Sequence, residues 1–372
     1  MPTKNPLSET EAGKPSLIGF SSKDLSEIAV EMGQKPFKGL QLFKWIYEKN
    51  SKDFESMTDL PKDFRNKLFT KYSLRRPLIK DQYISEDGTR KWLTSFEDGN
   101  QAETVMIPED NRITLCISSQ IGCTLTCKFC YTGTQRLVRN LSAGEIVGQV
   151  IIAKEQINKS IDKETKEEEK KIISNIVLMG MGEPLYNFKN IKKSLEIIKD
   201  KKGLSISHKK ITLSTSGIIP QIKKCGEELG LNLAISLHSP NDVTRTKIMP
   251  INKKYPIKEL IKACRIYPQI SNTKLITFEY VMLKDLNDSD EDAKELVKLV
   301  KGVDCKFNLI PFNAWPNAPY ECSSNNRILK FQKILQDSGL GCFIRTPRGL
   351  DILAACGQLK TDSKIPNHRK SL

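Results

Sequence analysis

No apolar run in the 372-residue chain approaches the ~18 residues needed to cross a bilayer, and the first twenty residues contain no signal-peptide core. A helical membrane span is thereby excluded, and a cytoplasmic protein with no membrane partner is expected. Histidine is scarce, with only His208, His238 and His368, which leaves little material for histidine-rich metal centres. Acidic side chains are also in deficit: 44 Asp and Glu against 59 Lys and Arg leave a net charge of +15. A chain this basic commonly handles something acidic, nucleic acid first, although a solvated lysine-rich surface would look the same. With 38% apolar side chains the chain can build a large core, which excludes wholesale disorder. Cysteine is not scarce. Ten cysteines in a reducing compartment are no disulfide framework, so their spacing is read for metal, redox or nucleophile chemistry.

Residues 1–20 mix Pro, Ser, Thr and charge without a periodic apolar face and are expected to form a mobile tail. From residue 21 to about 72 apolar residues recur at three- and four-residue steps (Leu25, Ile28, Met32; Leu40, Phe43, Ile46, Tyr47; Phe64, Leu68), predicting a small helical accessory domain over 21–90. Turn signals at Glu86-Asp87-Gly88 and Glu97-Asp98-Gly99-Asn100 predict a hairpin linker reaching about residue 108. Strand-like and helix-like text then alternates, with strands expected at 113–118, 172–179, 210–214, 231–237, 274–282 and 305–310. Six strands, each feeding a helix, imply a parallel sheet with helices outside. Only six units fit, so the economical architecture is an α/β fold: an open (βα)6 partial barrel over 109–349. Its chemistry is expected at the carboxyl ends of the strands. Ser142 and Glu145 form a capping box that starts the first helix of this core, and the charge-dense 162–171 is assigned to solvent.

Cys123, Cys127 and Cys130 form a C-x3-C-x2-C triad directly after the first core strand. Structural zinc wants four closed ligands, commonly two C-x2-C knuckles, and no second knuckle exists. Three thiolates in one loop better suit an iron-sulfur cube, which needs four ligands and here keeps one iron free. At four strand ends stand small or polar residues: Gly180-Met181-Gly182-Glu183-Pro184, Ser214-Thr215-Ser216-Gly217, Ser236-Leu237-His238 and Pro311-Phe312-Asn313. Glycine lets backbone approach a ligand, and the short polar groups offer donors and acceptors. Taken singly, each is also what an ordinary turn contains.

The triad after the first strand of an open barrel resembles the radical S-adenosylmethionine (radical SAM) signature. The strings TLCISSQIGCTLTCKFC, RNLSAGEIVGQ, MGMGEPL, LSTSG, AISLHSPND, NLIPFN and DILAACGQL resemble the adenine-methylating RlmN and Cfr family. LQLFKWIYEK and MTDLP of the N-terminal part are similar too, so the resemblance covers nearly the whole chain. One departure is Tyr131, where the family usually has Ala. The resemblance implies a [4Fe-4S] cluster on Cys123, Cys127 and Cys130. It implies S-adenosylmethionine contacts from Gly182, Glu183, Ser214, Ser236, Leu237, His238 and Asn313, with two molecules consumed per methylation. Cys356, in the C-terminal segment 350–372, would first take a methyl group. A 5′-deoxyadenosyl radical would then remove hydrogen from that S-methyl group, and the resulting carbon radical would add to adenine C2, a carbon that is neither nucleophilic nor usefully acidic. Glu103 would accept the ring proton, and Cys116 would release the adduct by attacking Cys356, leaving a transient disulfide. The implied substrates are adenine in the peptidyl-transferase region of 23S rRNA and the adenine 3′ of the anticodon in tRNA. The implied electron donor is a flavodoxin or ferredoxin type protein.

Two rivals stand beside this reading: a Cfr-like C8-specific adenine methyltransferase, and a non-enzymatic metal-stabilised RNA-binding protein. Without the resemblance, Cys116 and Cys356 would be read as small buried hydrophobes, as are Cys225, Cys264, Cys305, Cys322 and Cys342. The lysines at 189, 192, 193, 199, 201, 202, 209 and 210 form a candidate phosphate track, joined by Arg345, Arg348, Lys360, Lys364, Arg369 and Lys370.

Overall fold

A computed structural model describes residues 13–109, 112–160, 173–271 and 275–363. Three helices open the chain: α1 (Ser22–Glu31), α2 (Pro36–Tyr47) and α3 (Lys62–Lys71). Ser21 and Asp24 close a reciprocal capping box on α1, and α2 starts on Pro36, whose fixed φ suits a first helical turn. Of the apolar positions read from the sequence, Leu25, Ile28, Met32, Phe43, Ile46, Tyr47, Phe64 and Leu68 are buried, and Leu40 is half-buried. The expected tail fails in its last stretch. Leu17 is fully buried, and its amide bonds the Ser73 carbonyl at 2.9 Å, so an apolar pair in an otherwise polar segment was enough to dock it. Residues 1–12 of that tail, and the 162–171 insertion, lie outside the described residues.

The linker is larger than a hairpin. β1 (Leu78–Ile84), β2 (Arg90–Ser95), β3 (Gln101–Glu109) and β4 (Arg112–Cys116) form an antiparallel meander continuous with the core sheet. A short pair, β5 (Gln120–Ile121) and β6 (Arg139–Asn140), brackets the cysteine loop. The core then alternates α4 (Ala143–Ser160), β7 (Ile173–Leu178), α5 (Phe188–Lys199), β8 (Ile211–Thr215), α6 (Ile219–Lys224), β9 (Asn232–Ser236), α7 (Asp242–Ile248) and α8 (Ile257–Ile270). It ends with β10 (Ile276–Met282), α9 (Asp290–Leu299), β11 (Cys305–Pro311), α10 (Asn325–Asp337) and β12 (Gly341–Ile344). One ten-stranded sheet results, in the order β1-β2-β3-β4-β7-β8-β9-β10-β11-β12, parallel from β4 onward.

Six of the parallel strands match the expected units, and the sheet stays open. The seventh, β12, was not foreseen: it is four residues long, starts at a glycine and exposes Phe343, too little text for a strand pattern. The Ser142–Glu145 capping box is present in both directions, at 3.2 and 2.8 Å. The backbones of the N-terminal part and α4 touch closely, since a Cβ on Gly19 would stand 2.5 Å from the Gly144 Cα. After β12 the chain returns over the carboxyl ends of the strands, which places residues 354–363 across the site.

Candidate active site

The cysteine loop leaves β4 just beyond Cys116. It is folded tightly on itself: the Cys123 amide bonds the Gln135 carbonyl at 3.2 Å, and the Gly133 amide bonds that of Cys130 at 3.0 Å. Gly122 is obligatory here, because its φ is +73° and a Cβ would lie 2.2 Å from the Arg136 carbonyl oxygen. Burial, then the charge of Cys130, pushes the Cys127 thiol up to about 12, and Cys123 and Cys130 are raised by burial and by neighbouring cysteines. The three thiols thus feel one another. Yet among the described residues no three His, Cys, Asp or Glu groups converge to hold a single metal ion. Three buried thiols on one loop, stable as thiolates only beside cations, have the chemistry of iron-sulfur ligands, and Cys123, Cys127 and Cys130 would hold such a cluster.

A cleft opens beside this loop at the strand ends. Cys130, Gly182, Glu183, Ser214, Ser236, His238 and Asn313 line it. Gly182 has φ +99°, and a Cβ there would meet Gln120 at 2.5 Å, so only glycine brings backbone this close. Glu183 is buried and ties two strand ends together, accepting from the Leu185 amide at 3.1 Å and the Ser216 amide at 2.8 Å. Burial nevertheless pushes its carboxyl up to about 7, against those bonds. His238 accepts from the Val281 amide at Nδ1 (3.0 Å), and burial, then Arg245, lowers it to about 3. It is therefore a neutral imidazole. Leu237 is not at the wall: it is fully buried, its amide bonds the Glu279 carbonyl and its own carbonyl is taken by Arg245.

A second cleft, of about 1210 Å³, adjoins the first and shares Met179, Ile310, Asn313, Arg345, Cys356 and Gly357 with it. Cys116 lines this second cleft together with Val105, Ile107 and Glu109 of β3. Cys116 and Cys356, 240 positions apart by residue number, are thus brought into one cavity, and Cys356 stands where the two clefts meet. Burial, with Cys356 adding to it, pushes the Cys116 thiol up to about 12, while Arg345 opposes the shift. No two of the ten cysteines are bonded to each other in this structure. Asn313 holds the Cys356 carbonyl at 3.0 Å, and the Tyr131 amide holds that of Gly357 at 2.7 Å. Tyr131 also stacks on Trp315, with centroids 4.8 Å apart, and the Lys360 ammonium lies 4.3 Å from the centroid of the Tyr131 ring. The residue that departs from the family pattern therefore latches the C-terminal segment to the cysteine loop.

Glu103 is not in either cleft. It is buried in an ion pair with Lys91 (2.9 Å), accepts from the Lys360 amide at 2.8 Å, and lines a neighbouring recess. The C-terminal segment runs between: Leu359 faces the thiol cleft and Lys360 faces Glu103. Burial raises the Glu103 carboxyl, against the Lys91 charge, which makes it a stronger base than an exposed one. Of the expected phosphate track, Lys192 and Lys193 are paired with Glu228 (2.6 Å) and Asp24 (2.9 Å), whereas Arg348 lines the thiol cleft. Lys364, Arg369 and Lys370 lie outside the described residues. Cys322 is exposed, contrary to its reading as a buried hydrophobe. Two organising residues had no signal in the sequence. Gln149 bonds the Ser118 amide and carbonyl and Thr104, and Arg245 gathers carbonyls from the ends of two strands.

The profile of the radical SAM superfamily matches residues 117–297, and that of the ribosomal RNA large subunit methyltransferase N-terminal domain matches residues 16–73. The chain is 52% identical to the dual-specificity RNA methyltransferase RlmN of Rhodospirillum rubrum, over 97% of this chain and 86% of that one. It is 52% identical to the protein of the same name from Sinorhizobium medicae, over 94% and 88%. The crystal structure of a radical SAM methyltransferase from Sphaerobacter thermophilus superposes with a TM-score of 0.86 at 39% identity, covering 93% of this chain and 99% of that one. Similarity of this depth over both the sheet and the N-terminal helices shows that the chain belongs to the RlmN family of radical SAM RNA methyltransferases.

Proposed function

We propose that the enzyme methylates C2 of adenine in 23S rRNA and in tRNA, with Cys356 as methyl carrier and Cys116 as the thiol that releases the product. The observation that carries this reading is the shared cavity: two thiols distant in sequence meet in one cleft, and one of them also borders the cofactor cleft. When bound, the cluster and S-adenosylmethionine supply the methyl group and the hydrogen abstraction, with two S-adenosylmethionine molecules per methylation. The protein's own groups do the rest. Gly182, Glu183, Ser214, Ser236, His238 and Asn313 shape and hold the cofactor site. Cys356 carries the methyl carbon as a thioether and becomes bonded through it to the adenine. Cys116, once ionised beside Arg345, attacks the Cys356 sulfur; a sulfur-sulfur bond forms as the carbon-sulfur bond breaks, and its electron pair stays on the carbon left on the ring, which takes a proton from water to complete the methyl group. Glu103 accepts the ring proton, which requires the Lys360 amide to leave it, so the C-terminal segment shifts when RNA enters.

The remaining assignments follow from the same reading. Residues 21–90 act as the accessory RNA-binding domain, 109–349 as the catalytic core and 350–372 as the carrier segment. The enzyme works in the cytoplasm with a flavodoxin or ferredoxin type donor, and no helix among the described residues is long and apolar enough to cross a membrane. The non-enzymatic alternative falls with the family assignment. Nucleoside mass spectrometry of rRNA and tRNA from a deletion strain tests the regiochemistry: 2-methyladenosine should vanish from both. Its persistence, with loss of an 8-methyl species, would establish the C8 chemistry instead. Cys116→Ala should accumulate a covalent RNA adduct and Cys356→Ala none, and turnover by either variant would remove that thiol from the mechanism.

A further inference from the structure

Lys91, on β2, is buried, which is rare for lysine unless its ammonium is partnered. In the antiparallel register Lys91 stands opposite Val105 and Leu93 opposite Glu103, so Lys91 and Glu103 are diagonal neighbours on one face of β2 and β3. The ammonium reaches two acceptors there. It pairs with Glu103 Oε1 at 2.9 Å and donates to the Leu353 carbonyl at 3.2 Å, three positions before Cys356. The two oxygens of Glu103 are thus divided: Oε1 belongs to Lys91, while Oε2 accepts from the Lys360 amide at 2.8 Å. When that amide leaves, Oε2 is freed and Oε1 stays held.

The recess around Glu103 also carries Lys80, Asp81 and Tyr83 of β1, Asp98 of the turn before β3, and Lys360 and Asp362 of the C-terminal segment. Cys116 of β4 pairs with Val105, two positions along β3, and lines the adjoining cleft. Among the described residues, Lys91 is the cation within ion-pair distance of Glu103. Glu183 shows how such a carboxyl behaves without a cation: it takes two backbone amides, and burial still pushes it up to about 7. Burial raises the Glu103 carboxyl too, but here the charge and hydrogen bond of Lys91 are the largest opposing influences.

We propose that Lys91 is a positioning residue for release of the product: it holds Glu103 by Oε1, keeps the carboxylate ionised in a buried place, and leaves Oε2 to take the ring proton. This rests on Glu103 as the proton acceptor, proposed above. A carboxyl governed by burial alone would already hold a proton and could accept no other, and one left in water would be a weak base. The ammonium sets the balance between the two. Its second bond ties it to the segment that carries Cys356, so base and carrier are placed by one side chain.

The test uses the full chain, reconstituted anaerobically with iron and sulfide and mixed with S-adenosylmethionine, a chemical reductant and an rRNA fragment. Covalent RNA adduct and methylated RNA are followed over a single turnover between about pH 6 and about pH 9. An opposite charge this close changes the protonation equilibrium of a carboxyl roughly 10- to 1000-fold. Lys91→Met should therefore form the adduct but release it at least tenfold more slowly than wild type at about pH 6, the ratio closing as pH rises. Taking the ratio cancels the titration of Cys116, which both chains share. Lys91→Arg, which keeps the charge, should give a ratio that does not change with pH. A Lys91→Met ratio constant across pH, a Lys91→Arg ratio that follows it, or a folded Lys91→Met that forms no adduct overturns the proposal, since a merely structural lysine would not act through a proton. If Lys91→Met does not fold, infrared difference spectra of wild type against Glu103→Gln at about pH 7 decide. The substitution should remove a carboxylate band, and removal of a protonated carboxyl band overturns the proposal. Release by Glu103→Gln as fast as by wild type would instead remove Glu103 as the acceptor on which the proposal rests.

Discussion

Glu183 shows what the cofactor cleft costs the protein. Its carboxyl bridges the ends of β7 and β8 through two backbone amides, yet burial outweighs those bonds and pushes it up to about 7 from an ordinary 4.5. The folded state therefore keeps a proton that the unfolded chain has released between those two values. Stability contributed by this group is full below about 4.5 and is lost as pH rises through about 7, with a slope of at most ~1.4 kcal/mol per pH unit. Urea denaturation of the protein without cofactor should show that decline, and Glu183→Gln, which has no proton to lose, should flatten it; an unchanged slope would mean the carboxyl is not held protonated. Several such residues were legible in the sequence because their chemistry forces a pattern. The cysteine triad has a spacing, and Gly182 sits where backbone must come close. Leu237 turns its side chain into the core for a reason also written there: neighbouring residues at a strand end face opposite ways, so Ser236 lines the cleft and Leu237 does not. Arg245 was not legible at all, since a lone arginine in a polar stretch looks like surface until its neighbours are known.

At the level of elements, β3 and β4 explain both the thiol cleft and the place of Glu103. Val105 pairs with Cys116 across the two strands, and the two-residue period of β3 sends Val105, Ile107 and Glu109 to the cleft that Cys116 lines. Glu103 continues that face but is roofed by the returning C-terminal segment, a long-range contact that no local pattern announces. That segment has almost no regular structure of its own and is held by side chains of the core. Gln135 does much of this, bonding the Thr361 hydroxyl at 3.0 Å, the Ser363 carbonyl at 3.2 Å and the Thr361 amide at 3.2 Å. A segment kept down by a few polar contacts opens at low cost. Gln135→Ala should therefore speed limited proteolysis within residues 355–363 several-fold while leaving cleavage elsewhere unchanged; equal protection of the segment would show that Tyr131, Trp315 and the Asn313 bond suffice.

Across the whole molecule the charge of +15 divides into ion pairs and free cations, and only the second kind draws RNA. Of the basic residues, 42 lie beyond residue 100 against 29 acidic ones, which made α5 look like a phosphate track. The fold spends two of its lysines otherwise: Lys193 pairs with Asp24 of α1 and so joins the N-terminal helices to the core, and Lys192 pairs with Glu228. Arg348 instead borders the thiol cleft with Cys356, and on the proposed function it is the candidate for a phosphate contact. Neutralising one phosphate contact reduces the dependence of log affinity on log salt by ~0.7 to ~0.9. Arg348→Gln should weaken binding of an rRNA fragment and lower that slope by about one contact, whereas Lys192→Gln should leave both within error, as measured by fluorescence anisotropy across a salt series. The opposite ranking would move the RNA path from the strand ends to α5. The N-terminal helices would then take a direct part in carrying the backbone, since Ser21, Lys23 and Asp24 share a recess with Lys189, Lys192 and Lys193.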